Sequence, residues 1–281
     1  MKLYTDSACD LPLTYLEAHD ITLFPLRVEY NGQDLADRVE ITPQQIFDIL
    51  EQGGQPKTSQ VSPETFLAAF TEQAKAGEEG VYIAFSSGLS GTFATAVMMR
   101  EQVKETYPDF SLHIIDTKCA SFGQGFVVKE AVRLREAGVT ATALAEQLTA
   151  YAASIQHVFA VDDLDHLARG GRLSKSTAFV GGLLNIKPIL TITDEGLIDT
   201  LDKARGKKRA FKQVVEHVKA RGGDFTSKTI GIAYTGDVAI VDELKAVLTA
   251  ELQPKDFDVT TIGAVIGSHV GLGVFALFFE K

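Results

Sequence analysis

One stretch constrains this chain more than any other. The apolar run Gly80-Val81-Tyr82-Ile83-Ala84-Phe85 passes directly into Ser86-Ser87-Gly88-Leu89-Ser90-Gly91-Thr92, and Phe93 onward is rich in Ala, Met, Arg and Glu. The run reads as a buried strand and the segment from Phe93 as a helix. A Ser/Gly/Thr loop therefore sits at the carboxyl end of a strand and opens a helix, which is where open α/β sheets bind ligands. The first turn of a helix carries unpartnered N–H groups and partial positive charge. Three serines and a threonine add hydroxyl donors, and two glycines let a guest approach the backbone. The pattern fits a small anion, phosphate or carboxylate; it also fits a plain N-cap and tight turn.

The rest of the chain arranges itself around this unit. Lys2 to Thr5 predicts a first strand, with Asp10 capping a helix that has Pro12 in its first turn. Ile21 to Tyr30 predicts a strand, and Asn31-Gly32 a hairpin turn. Helices are expected over Ile41 to Leu50, from Ser62-Pro63-Glu64 onward, to about Tyr107, over Cys119 to Glu136, and around Leu144 to Ile155. Lys57-Thr58-Ser59-Gln60 reads as a polar connector. Strands alternate with helices from Val81 to His157, as in a parallel sheet with crossover helices.

Near residue 157 the pattern changes. Val158 to Val161, Pro188 to Ile192, Leu197 to Ala204, Thr229 to Tyr234, Val259 to Ile266 and Val274 to Phe279 read as strands, several joined by turns such as Glu195-Gly196. That predicts a mixed or antiparallel sheet, with helices over Ala178 to Leu184, Arg205 to Arg221 and Val238 to Glu251. The expected class is α/β in two domains, 1–156 and 157–281.

Composition narrows the function. The 281 residues are 45% hydrophobic and carry a net charge of −10, which supplies a large core and argues against a general nucleic-acid binder. The two cysteines, Cys9 and Cys119, lack CxxC spacing, so neither a metal site nor a disulfide framework is expected and a reducing, cytoplasmic setting fits. The amino terminus has no apolar run of signal-peptide length. The most apolar segment, Gly263 to Phe279, is broken by Ser268, His269 and glycines, so an integral membrane protein is not expected.

Three other groups of residues carry chemistry. Gly88-Leu89-Ser90-Gly91-Thr92 approaches the Gly-x-Ser-x-Gly nucleophile elbow but has Thr92 in the place of the second glycine; a serine esterase or acyl transferase using Ser90 is the alternative reading. His269 lies in Gly267-Ser268-His269-Val270-Gly271-Leu272-Gly273, expected as a loop between two strands, where it can donate to an anion or simply decorate a hairpin. Two basic runs, Arg169/Arg172/Lys175 and Lys203/Arg205/Lys207/Lys208/Arg209, stand against the acidic background; a solvated face is the default for such runs, and docking of an anionic group or acidic partner is the other use.

Taken together, Thr58-Ser59-Gln60 with Pro63, Ser86 to Thr92, Leu167-Ala168-Arg169-Gly170-Gly171-Arg172-Leu173, Lys187-Pro188-Ile189-Leu190 and Gly267 to Gly271 resemble the DegV family, the bacterial fatty acid-binding proteins that serve as the lipid-carrying subunit of fatty acid kinase. The resemblance runs from Tyr4-Thr5-Asp6-Ser7 to Gly271-Leu272-Gly273. It implies two α/β domains with one fatty acid between them, no cofactor, and a separate kinase catalytic subunit as partner. It assigns the carboxylate to Thr58, to Ser87 or Ser90 with Gly91, and to His269, and it sets Arg172 and Arg205 near the head group and the kinase. Phe179, Val180, Leu183, Leu184 and Ile186 are candidate walls for an acyl tunnel. Ala168 and Gly206 depart from the residues common at those places, which blurs the partner interface and leaves the ligand class intact. The chain has no Gly-x4-Gly-Lys-[Ser/Thr] loop for a nucleotide of its own.

Overall fold

The computed structural model describes residues 1–162, 164–173 and 185–281. In chain order its elements are β1 (Lys2–Asp6), α1 (Leu13–Ala18), β2 (Ile21–Phe24), β3 (Arg27–Tyr30), β4 (Gln33–Ala36), α2 (Pro43–Glu51), β5 (Lys57–Ser59), α3 (Pro63–Ala76), β6 (Gly80–Ala84), α4 (Thr92–Thr106), β7 (Leu112–Asp116), α5 (Phe122–Glu136), α6 (Ala141–Ala152) and β8 (Ile155–Ala160). There follow α7 (Asp165–Gly170), β9 (Ile186–Ile192), β10 (Ile198–Arg205), α8 (Lys207–Gly222), β11 (Thr229–Tyr234), α9 (Ala239–Leu252), β12 (Asp256–Thr261), α10 (Ala264–Val270) and β13 (Phe275–Glu280). The architecture is α/β, with one parallel and one mixed sheet as expected.

The parallel sheet has the order β2-β1-β6-β7. All five residues of β6 are buried, as a central parallel strand covered on both faces requires. Strand order reverses between β1 and β6, so the serine loop leaves the sheet at its topological switch point. Asp6, at the end of β1, organises that point from full burial. One carboxylate oxygen accepts from Tyr82 Oη at 2.7 Å and Phe85 N at 2.8 Å; the other accepts from Ala8 N and Gln124 Nε2, each at 3.2 Å. Burial raises its pKa to about 6 despite these donors.

The mixed sheet has the order β10-β9-β8-β13-β11-β12. Its inner strands β8, β13 and β11 are buried on both faces, and the period-2 alternation of strands divides their side chains between them. From β13, Phe275, Leu277 and Phe279 join the core beneath α8 and α9, whereas Ala276 and Phe278 join the core shared with the parallel sheet. A small antiparallel sheet, β4-β3-β5, lies beside the parallel one.

Four expectations need correction. The strand predicted over Ile21 to Tyr30 is broken at Pro25, and its halves enter different sheets; proline has no N–H to continue a ladder. Lys57 to Ser59 is a strand paired with β3, not a connector. Asp10 does not cap α1: it is left-handed, with φ 54°, and turns its carboxylate inward. The closing segment is β12 followed by helix α10, so His269 stands on a helix and not in a hairpin loop. The β-branched run Val265-Ile266 favours a strand locally, but capping of Gly263 and Ala264 by distant carboxylates and packing of Gly267 close to Ile46 and Phe47 impose a helix. The helix expected over Ala178 to Leu184 and the candidate walls Phe179, Val180, Leu183 and Leu184 lie outside the described residues, as does Lys175.

Asp6→Asn should be expensive. Whichever way the amide turns, its NH2 would face donors where an acceptor is needed, either Tyr82 Oη and Phe85 N or Ala8 N and Gln124 Nε2, and a loss of about 2–4 kcal/mol follows from stranding buried donors. Urea unfolding checks this; a midpoint like that of the parent chain would show that the carboxylate is dispensable.

Candidate functional site

Between the two large sheets lies a cavity with about 890 Å³ of non-atom space, part of it open to solvent. Its walls are apolar: Leu26, Phe85, Phe159, Val265, Ala276 and Phe278 represent five different segments of the chain. Polar groups gather where Thr58, Ser59, Gln60, Ser90, Gly91, Arg172 and His269 line it.

Each of these side chains is delivered by a local device. Thr58 is pinned on β5 by pairing with Val28 of β3. Ser90 sits at the start of α4, where its hydroxyl accepts from Thr92 N at 3.2 Å and bonds Thr92 Oγ1 at 2.8 Å. Gly91 leaves room for the Gln60 amide, which a Cβ would strike; Gln60 in turn donates to Thr95 Oγ1 at 2.6 Å. Arg172 follows α7, and its Nε donates to Leu89 O at 3.1 Å while Nη1 donates to Gly170 O. His269 rides on the last turn of α10, whose first amides are held by carboxylates from the other end of the chain: Gly263 N donates to Asp10 Oδ1 at 2.8 Å and Ala264 N to Asp37 Oδ1 at 3.2 Å.

The centre of the cluster is a 2.6 Å hydrogen bond between Thr58 Oγ1 and His269 Nε2, across 211 residues of sequence. Burial, then the Arg172 charge, then His166 bring the His269 pKa down to about 4. At neutral pH the ring is therefore uncharged. With its hydrogen on Nε2 it donates to Thr58 and frees the threonine hydroxyl hydrogen for an anion; Arg172 supplies the positive charge. Gly170 lies against the same ring, and a methyl group there would collide with Nδ1.

The serine loop divides its labour. Ser86 Oγ donates to Gly196 O at 2.8 Å, fastening the loop to the β9–β10 turn. Ser87 does not line the cavity; its hydroxyl accepts from Lys118 Nζ at 2.8 Å and its amide donates to Asp116. Ser90 alone of the three reaches the cavity, and among the described residues its hydroxyl is bonded to Thr92 and to no imidazole. Arg205 is exposed at the end of β10, away from the cavity lining. Ile186 is also outside the lining. Sequence reasoning missed His157, a buried cavity residue that lies against Gly123, and the helix-holding roles of Asp10 and Asp37. A lone histidine in an apolar strand gives no local signal, and the aspartates act over more than 200 residues.

A model of the DegV family, described as uncharacterised, matches residues 1–281. The chain belongs to the DegV family. A DegV domain-containing protein of Clostridium perfringens is 36% identical over 99% of this chain and 96% of its own length. Among solved structures, a DegV family protein from Thermus thermophilus described by its fatty acid binding aligns with a TM-score of 0.90 at 33% identity, covering 100% of this chain and 99% of that one. A stearic acid-binding protein from Eubacterium ventriosum aligns with a TM-score of 0.91 at 28% identity, covering 100% and 98%. Among the described residues no helix is long and apolar enough to cross a membrane.

Two outcomes follow from the state of His269. In an NMR titration its ring should protonate at about pH 4, and Arg172→Ala should raise that value by removing a repelling charge. Because the unfolded ring titrates near ~6.5, the folded state holds fewer protons between the two values. Its contribution to stability is therefore present above about 6.5 and is lost as pH falls toward 4. A ring that titrates near its ordinary value would show that it is not sequestered in this way. Gly170→Ala should lengthen the Thr58–His269 contact, visible as a changed His269 ring shift without global unfolding.

Proposed function

We propose that this chain binds a long-chain fatty acid between two domains, 1–156 and 157–281, and presents the carboxylate to a separate kinase for acyl-phosphate formation. One observation carries the reading: an apolar cavity whose polar end joins Thr58 and His269 at 2.6 Å and includes Ser90, Gly91 and Arg172. The fatty acids named for the Thermus and Eubacterium relatives support the ligand class. Burial of a methylene is worth about 0.8 kcal/mol, so a long tail supplies roughly 10 kcal/mol gross, much of it offset by immobilisation. The tail thus sets affinity, and Thr58, Ser90, His269 and Arg172 set orientation.

Orientation matters because one carboxylate oxygen must attack the terminal phosphorus of a nucleoside triphosphate held by the kinase. A new O–P bond forms while the bond to the departing nucleoside diphosphate breaks. The chain itself is read as a carrier and not an enzyme: Ser90 is engaged by Thr92, with no imidazole bonded to it among the described residues. The kinase half rests on the family resemblance and on exposed basic residues, Arg205 among them.

Purified protein should release a fatty acid on solvent extraction, identified by mass spectrometry; an empty protein that also fails to bind in titration would overturn the reading. His269→Ala should weaken fatty acid binding by roughly 2–10-fold, the equivalent of one neutral hydrogen bond. With a reconstituted kinase, Arg205→Ala should lower acyl-phosphate formation at unchanged lipid affinity; equal loss of lipid binding would place Arg205 in the pocket.

A further inference from the structure

The cavity between the two large sheets carries a second polar group, well away from the Thr58–His269 pair. Val274, Ala276 and Phe278 line the cavity in turn, starting just beyond the helix that carries His269 and continuing along β13. His157 of β8 pairs with Phe278, so it stands about 13 Å deeper along this wall than Val274. Its ring is only 3% exposed, lines the cavity and meets Phe278 edge to face at 5.4 Å. The next row of the wall is Phe159 and Ala276. A lone imidazole is thus set among apolar side chains, where an acyl tail would pass.

The ring is held in place, and its neighbours assign its hydrogen. Nε2 accepts from Ala120 N at 3.4 Å, and Gly123 lies so close to the same nitrogen that a Cβ would strike it. The His157 carbonyl accepts from Thr191 Oγ1 at 2.7 Å, which ties the backbone. Burial lowers the pKa to about 4, so the ring is uncharged at neutral pH and keeps one hydrogen. A backbone N–H can only donate, so Nε2 presents its lone pair and the hydrogen is on Nδ1. Among the described residues Nδ1–H meets no acceptor. Nor is it one of the polar atoms sealed from all space, so the space it meets is the cavity. A saturated tail laid over this N–H strands a donor in an apolar wall, which costs binding.

We propose that His157 is a specificity-determining residue that selects a fatty acid bearing a hydroxyl on its tail, well away from the carboxylate. Nδ1–H donates to that oxygen while the rest of the tail keeps its apolar contacts. Ser121 Oγ lines the same cavity and gives its own hydrogen to Asp10, so it offers a guest hydroxyl a lone pair. This rests on the reading of the chain as a fatty acid carrier and narrows its ligand from long-chain acids in general to oxygenated ones.

Calorimetric titration of the full chain emptied of lipid compares stearic acid with a series of monohydroxystearic acids whose hydroxyl is stepped from mid-chain to the ω end. Where the hydroxyl meets His157, the acid should bind roughly 2–10-fold tighter than stearic acid, as one net hydrogen bond gives. At the other positions an unpaired hydroxyl should weaken binding by about tenfold. His157→Leu should remove the favoured position, while stearic acid binds at least as tightly as before. In the parent chain the His157 Nδ1–H proton resonance should move downfield with the favoured acid relative to stearic acid, a readout that does not need the variant to fold. Stearic acid binding tighter than every hydroxy acid, a preference that survives His157→Leu in folded protein, or a resonance indifferent to the hydroxyl overturns the selection while the carrier reading stands. Failure of stearic acid and of the whole series overturns the carrier reading and this selection with it.

Discussion

Two buried carboxylates hold the start of the helix that carries His269, and the proposed head-group site depends on that hold. Helix α10 has seven residues, too few to persist on its own. Its first amides have no partners within the helix, and the Asp10 and Asp37 carboxylates accept from them. Negative charge at a helix start also complements its dipole. Asp10 is tied further: Ser121 Oγ donates to its second oxygen, Arg38 Nη1 lies 3.8 Å away, and Thr260 Oγ1 donates to its carbonyl at 2.6 Å. One residue thereby joins β12, α10, the start of α5 and the first turn of the chain. A shift of this node would move His269 away from Thr58.

The same arrangement places opposite proton demands on the fold. Burial lifts Asp6 and Asp10 to about 6 and Asp37 to about 7, while burial lowers His157 and His269 to about 4. A carboxyl with a raised pKa favours the folded state at low pH, and that advantage is lost as pH rises through the folded value. A histidine with a lowered pKa does the reverse, losing its contribution as pH falls from about 6.5. Across the range from about 4 to 7 the two sets offset each other in sign. Within these five groups, keeping the site polar and buried thus sets proton demands of opposite sign against each other.

How much of this was legible in the sequence depended on distance along the chain. The unit from Gly80 to Thr106 needs only local information: an apolar run, a small polar loop and helix-forming residues, so the strand, loop and helix stand where the pattern puts them. The Asn31-Gly32 turn and the β9–β10 hairpin are local too. The Thr58–His269 pair was reached through motifs that resemble a family, since nothing in either segment alone points to the other. What local pattern got wrong was decided by remote partners. Val265-Ile266 became helical because Asp10 and Asp37 cap the segment from more than 220 residues away. Ser87, equivalent in sequence to Ser90, was claimed by Lys118. Loop chemistry identified the group of serines, but neighbours decided which one faces the cavity.

The charge at the mouth is divided between two residues for a physical reason. A histidine buried beside an apolar cavity cannot stay protonated at neutral pH without a fixed counter-charge, and here Arg172 adds repulsion. An arginine keeps its charge under the same conditions, and Arg172 is steadied by two backbone carbonyls. The neutral ring therefore acts through direction: its Nε2 contact with Thr58 sets where the hydroxyl hydrogen points. Arg172 supplies the field and His269 the aim. In the proposed carrier this keeps a charged partner for the carboxylate wherever that carboxylate is ionised, while its orientation depends on a hydrogen bond between the two ends of the chain. A substitution that spares Arg172 but disturbs the ring would leave a bound ligand poorly aimed, which is the more damaging defect if, as proposed, the group has to meet a phosphorus in line.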